Sequence, residues 1–169
     1  MEQEKTTRRK KQRKLNKPSA LSKAVDLLAR QDHSERKMRQ KLKSREYTEQ
    51  EIDGAIERLQ QLHYIDDTRV CENQFNYLYE NSSQSVRKIC AKLQQRGFDS
   101  DLIRSCIPAD TAEREGRAAA KLLRQKFRPD ADKEKMMQYL YRQGFDLSLV
   151  RHAVEDFRSA LAEDSEIFF

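Results

Sequence analysis

Tryptophan is absent from this chain of 169 residues, and glycine and proline are scarce, at four and three copies. A β-sandwich or barrel needs tight turns at short intervals, so this shortage excludes one. No apolar run approaches the ~18 residues of a membrane span. The basic N-terminus leads into Asn16-Lys17-Pro18 without an apolar core, so it does not read as a secretory signal. Cys71, Cys90 and Cys106 are odd in number and lack Cys-x-x-Cys spacing. That excludes the usual zinc finger and a complete disulfide framework, and points to a reducing cytosol. Gly54, Gly97, Gly116 and Gly144 are isolated, so there is no glycine-rich phosphate loop. His33, His63 and His152 lie far apart, without metal-ligand partners at helical spacing. They read as surface or helix-end residues, and the cysteines, which fall on apolar stripes, read as core. No nucleophile–base constellation is visible, and neither a cofactor nor a metal is expected.

What is abundant is charge. Lys and Arg number 34 and Asp and Glu 28, a formal net charge of +6. Residues 1–17 hold eight bases and two acids, so the tail alone accounts for that excess, and the rest of the chain balances. A block of like charge cannot bury a core, so residues 1–18 are expected to be a disordered tail. It reads either as an arm that binds phosphates through counterion release or as a solubilising extension.

From Pro18 onward the period is helical. Leu21, Ala24, Val25 and Leu28 form a stripe at i, i+3, i+4 and i+7. Ser34 is a good N-cap for a helix carrying Met38 and Leu42, and Thr48 to Glu51 reads as a capping box. Asp66 and Asp67 are expected to cap the following helix. The pattern then repeats. Met38, Leu42, Tyr47, Ile52, Ala55 and Ile56 match Ile89, Leu93, Phe98, Ile103, Cys106 and Ile107 at a constant offset of 51 residues. Ile89, Leu93, Gly97, Phe98, Asp99 and Ile103 match Met136, Leu140, Gly144, Phe145, Asp146 and Val150 at an offset of 47. The expectation is an all-α protein of three tandem three-helix repeats, at 19–65, 66–109 and 110–160, forming an elongated, curved, solenoid-like body. The second helix of each module should end on a left-handed residue, followed by an aromatic that packs back and a cap for the third helix. Gly97 and Gly144 suit that turn. Glu46 occupies the equivalent place in the first module, so there the turn is strained or built differently.

Charge is sorted by helix. Residues 36–45 and 87–96 contain bases and no acid, as do residues 117–128, with Arg117, Lys121, Arg124, Lys126 and Arg128. Recurrence in the second helix of modules one and two marks Arg36, Lys37, Arg39, Lys41, Lys43, Arg87, Lys88 and Lys92 as a basic stripe for nucleic acid or an acidic partner. The plain alternative is a solvated face.

Four segments resemble signatures of the RecX proteins, in order and in register over residues 20–158. They are Asp32-His33-Ser34-Glu35 through Leu42, Tyr64-Ile65-Asp66-Asp67-Thr68-Arg69, Val86-Arg87-Lys88-Ile89 through Phe98, and Gln138 through Phe145. The resemblance implies a cytoplasmic, monomeric, non-catalytic regulator of the RecA recombinase. It would bind the RecA filament on single-stranded DNA and limit its extension or stability. Three features depart from the family pattern. Asn81-Ser82-Ser83-Gln84-Ser85 is less basic than usual, Val70 replaces an aromatic, and the basic tail is not general. The competing readings are a direct nucleic-acid-binding helical protein, a protein-binding scaffold and, last, an enzyme. At the other end, residues 161–169 read as an acidic, aromatic tail ending in Ile167-Phe168-Phe169. That tail resembles those of bacterial single-stranded-DNA-binding proteins, against the alternative of a frayed end.

Overall fold

The computed structural model describes residues 17–128 and 130–166; the basic segment 1–16 and the terminal Ile167-Phe168-Phe169 lie outside them. The described residues form helices and connecting turns, with no strand. The helices are α1 (Ala20–Leu28), α2 (Glu35–Lys43), α3 (Glu49–Gln61), α4 (Asp67–Asn81), α5 (Val86–Gln95), α6 (Ser100–Ser105), α7 (Ala112–Lys126), α8 (Lys133–Arg142) and α9 (Leu147–Glu166). The chain divides into two compact units after Asp67.

In the first unit, α1, α2 and α3 close around Ala24, Met38, Leu42, Tyr47, Ile52, Ile56 and Leu59. The α1 stripe is rotated from its expected position. Ala20, Ala24 and Leu27 are buried, Leu21 and Leu28 flank them, and Val25 is 43% exposed. The small Ala20 and Ala24 let α1 approach α3 closely, and that contact line leaves Val25 on the outer side.

The second unit holds two hydrophobic clusters. One gathers Val70, Cys71, Phe75, Leu78, Ile89, Leu93, Phe98 and Ile103 from α4, α5 and α6. The other gathers Ala119, Leu123, Met136, Leu140, Phe145, Val150 and Val154 from α7, α8 and α9. Leu42, Leu93 and Leu140 are each fully buried, which is worth roughly 2–3 kcal/mol per side chain. Cys71 is buried, and Cys90 and Cys106 pack half-buried against the same cluster. Burial pushes the Cys90 thiol up, away from the reactive thiolate.

Hydroxyl and carboxylate caps set the helix starts. Ser34 accepts from Lys37 N, Ser85 from Lys88 N, and Asp99 from Asp101 N and Leu102 N. Thr48 and Glu51 form the reciprocal capping box. Asp67 departs from its expected role as a cap of its own helix. It is the first residue of α4, and its carboxylate accepts from Glu35 N at 2.9 Å, so it serves the start of α2 instead.

Candidate interaction surface

The second helix of the first two modules is held at its start by groups that are remote in sequence, whereas α8 is capped locally by Asp132. Asp67 takes the first free N–H of α2 in the first unit. In the second unit Glu115 of α7 does the same for α5, accepting from Val86 N at 2.7 Å. Ser85 is fully buried and uses its hydroxyl twice, accepting from Lys88 N and donating to the Gln143 carbonyl at 2.7 Å. Next to Glu115, Arg114 donates to the carbonyls of Tyr79, Ser82 and Gln84 and lies over the Tyr79 ring. The polar loop 81–85 is therefore a docking segment for α7 and α8. Burial raises the Glu115 carboxyl above its ordinary value, against the opposing pull of Val86 N–H and Arg114.

This scaffold fixes where the basic residues stand, and it separates them. On α2, Arg39 is held by Glu35 at 2.7 Å and by Asp53 of α3 at 2.5 Å. Hydrogen bonds to Asp53 and Glu35 strengthen its hold on the proton. Lys43 pairs with Glu49 of α3 at 2.6 Å, which likewise raises its pKa. The acids of α3 thus neutralise one side of α2. Lys37 and Lys41, one turn apart, lie on another side, where Lys37 reaches only as far as Gln40 at 3.3 Å. His33 sits in their field. Burial, then Lys41, lowers its pKa, with Lys37 adding to the shift and Asp32 opposing it. Arg36 is exposed.

On α5, Lys88 bonds the Gln143 side chain. Arg87 packs on the turn at Gly144, where a β-carbon would stand 3.5 Å from its own. Lys92 is half-buried. Among the described residues, Lys41, Arg87 and Lys92 make no ion pair. Of the eight basic positions, Arg39 and Lys43 are held by acids of α3, and Lys88 is held by Gln143. Those on α2 and those on α5 belong to different units.

Acids stand beside the third basic run as well: Glu80, Asp110 and Glu113 line a cleft with Arg117 and Lys121, and Asp110, Glu115, Asp146 and Asp156 line a cavity with Arg124. Arg117 pairs with Glu113 at an exposed site, and Lys126 lies over the Tyr139 ring at 4.6 Å. Lys121, Arg124 and Arg128 are exposed without an ion pair among the described residues. No group of His, Cys, Asp and Glu among the described residues could hold a metal ion. No described helix is long and apolar enough to cross a membrane.

Sequence reasoning missed Ser85, Arg114 and Glu115. Ser85 carried a usable signal as an N-cap three residues before Lys88. The contacts of Arg114 and Glu115 join positions about 30 residues apart and leave no local pattern.

Comparison with known proteins places this architecture. The model of the first three-helix domain of RecX matches residues 20–59. The regulatory protein RecX of Chlorobaculum tepidum is 30% identical over 141 residues, 82% of this chain and 88% of that protein. Its namesake from Haemophilus influenzae is 32% identical over 129 residues, 72% of this chain and 83% of the other. The crystal structure of RecX from Lactobacillus salivarius superposes with a TM-score of 0.70 at 19% identity, covering 82% of this chain and 94% of that one. That likeness shows the fold.

Proposed function

Because this chain belongs to the RecX family of regulatory proteins, we propose that it acts on the RecA recombinase, binding the RecA filament on single-stranded DNA and limiting its extension or stability. The reading includes no catalysis of its own, a cytoplasmic location and a monomeric state. The observation that carries it is the recurrence of a basic second helix, started at Ser34 in one module and at Ser85 in the next. Each start is tied by a carboxylate from the helix that follows the module. A helix fixed at its start in this way can present cations to a polyanionic filament without reorganising. Modules in tandem gain avidity from individually weak contacts.

Lys37 and Lys41, with Arg87 and Lys92, are the members of the stripe available for such contact. Arg39 and Lys43 are engaged with α3. The test is ATP hydrolysis by RecA filaments on single-stranded DNA, with binding followed across salt concentration. Charge reversal at Lys37, Lys41 and Lys92 is expected to weaken inhibition and flatten the salt dependence. Reversal at Arg39 is expected to act mainly through lost pairing with Glu35 and Asp53. Full inhibition with an unchanged salt slope in the first variant would assign these residues to solvation. No effect of the wild-type protein on filaments would overturn the reading altogether.

A further inference from the structure

All three cysteines of the chain fall in the second module, one on α4, one on α5 and one at the end of α6. Cys106 Sγ stands 4.0 Å from Cys71 Sγ and 3.2 Å from the Leu102 carbonyl oxygen. The two thiols in contact differ in access. Cys71 is fully buried, whereas Cys106 is half-buried at the C-terminal end of α6. Cys90 packs against the same cluster. Burial pushes its thiol up, with Cys106 adding to the shift.

Packing alone does not account for the pair. At the constant offset of 51 residues, Cys71 and Cys106 correspond to Ala20 and Ala55 in the first module. At the offset of 47 they correspond to Ala118 and Ala153 in the third. All four alanines are buried in the clusters of their own modules. A methyl group is therefore enough at both places, on the first helix and on the third. The second module alone puts sulfur there, and it does so on both helices at once.

We propose that Cys71 and Cys106 are a peroxide-responsive pair that closes into a disulfide and braces the second module. The partly accessible Cys106 thiol reacts first with hydrogen peroxide. An S–O bond forms, the O–O bond breaks, and the products are the Cys106 sulfenic acid and one water. The Cys71 sulfur, already in contact, then attacks the oxidised sulfur. The S–S bond forms, the S–O bond breaks, and the hydroxyl leaves with the Cys71 proton as a second water. The sulfurs must close from 4.0 Å to about 2.05 Å, a movement of about 1 Å each. In a reducing compartment such a bond is transient and is returned to thiols by glutathione, which suits a response and not a permanent staple. The loop it closes, residues 71–106, contains the whole of α5 with Arg87 and Lys92. The bond thus restrains the unfolded chain across the module. It holds whatever the protein binds.

The experiment uses the full chain, first fully reduced and then exposed to a small excess of hydrogen peroxide. The thiol count should fall from three to one, and the intact mass should drop by two hydrogens. Proteolytic mapping should join Cys71 to Cys106, and reduced glutathione should restore all three thiols. Oxidation should raise the melting temperature by about 5–10 °C. Cys90→Ala should keep both the bond and the shift. Cys71→Ala, the side chain that the other modules carry, should lose both and leave the Cys106 sulfenic acid to be trapped by dimedone. Cys106→Ala should also lose both and leave Cys71 unoxidised, so the outcome does not hang on one variant folding. A bond from Cys90 to Cys106, a bond between two chains, sulfinic acid in place of a disulfide, or three surviving thiols would each overturn the proposal. A bond between Cys71 and Cys106 with an unchanged or lower melting temperature would overturn the bracing role.

Discussion

The turn after α2 and the turn after α8 trace the same path with different residues at the critical place. In the first, Glu46 takes φ 62° and donates to the Lys43 carbonyl at 2.9 Å, and Tyr47 N returns to Leu42 O. In the second, Gly144 takes φ 89° and donates to Tyr141 O at 2.9 Å, and Phe145 N returns to Leu140 O. Tyr47 and Phe145 are both buried. The backbone is thus dictated by the helix end and by the aromatic that packs beneath it, not by glycine. What differs is the surroundings. Glu46 faces solvent, so its side chain has room and the cost is the left-handed backbone alone. At Gly144 a β-carbon would stand 2.8 Å from the Ser85 hydroxyl oxygen. That hydroxyl bonds Gln143 O and Lys88 N and cannot withdraw without leaving buried groups unpaired.

The largest effect that breaks the comparison is expected from Gly144→Ala. Left-handed strain and the collision with Ser85 should together cost roughly 2–4 kcal/mol. Chemical denaturation of this variant, of Ser85→Ala and of the double variant measures the coupling. The double variant should be less destabilised than the sum of the singles. Strict additivity would mean that Ser85 does not enforce the glycine.

Glu46→Gly should move stability the other way, and by less. Removing a left-handed side chain recovers about 1–2 kcal/mol, and the greater freedom of an unfolded glycine takes back part of it. A net gain of roughly 0.5–1 kcal/mol is expected as a higher melting temperature. A loss would show that the Glu46 side chain makes a compensating contact.

The same contrast explains what could be read before the structure was known. The offsets of 51 and 47 residues placed Leu42, Leu93 and Leu140 in equivalent fully buried positions, because burial in a helix leaves a periodic trace. The caps Ser34, Thr48 and Asp99 were legible for a similar reason, since each acts within three residues of itself. The strain at Glu46 was visible as an irregularity in the repeat, and the structure resolves it as the strained form of the same turn. Val25 was misplaced because a stripe with apolar residues on both flanks does not say which flank faces the neighbour. The charge of α2 was read as a helix property, but Asp53 and Glu49 of α3 share it. Net charge along a segment is local, whereas its compensation is tertiary. Arg114 and Glu115 were invisible for that reason too, as was the bond from Glu35 N to Asp67.

The smallest expected effect concerns the caps that follow these turns, where the second and third modules place a carboxylate at the cap position itself. Thr48 caps α3 with a hydroxyl, while Asp99 caps α6 with a carboxylate and Asp146 takes the Ser148 N–H and hydroxyl at the start of α9. Hydrogen bonds from Asp101 N and Leu102 N hold the Asp99 carboxyl below its ordinary value, and bonds from the Ser148 hydroxyl and N–H do the same for Asp146. A carboxyl with a lowered folded pKa contributes stability above its unfolded value, near 3.8. That stability is lost as the pH falls through the folded value. The two aspartate caps should therefore weaken progressively below about pH 4, because the protonated form binds these donors less strongly. Replacing both by Thr keeps a capping oxygen and removes the titration. The melting temperatures of the wild-type and the Asp99→Thr/Asp146→Thr protein should differ at pH 6 and converge toward pH 3. Both sites are exposed, so the difference should be small. A gap that stays constant over this range would show that the carboxylates act as ordinary acceptors and that their charge contributes nothing to the fold.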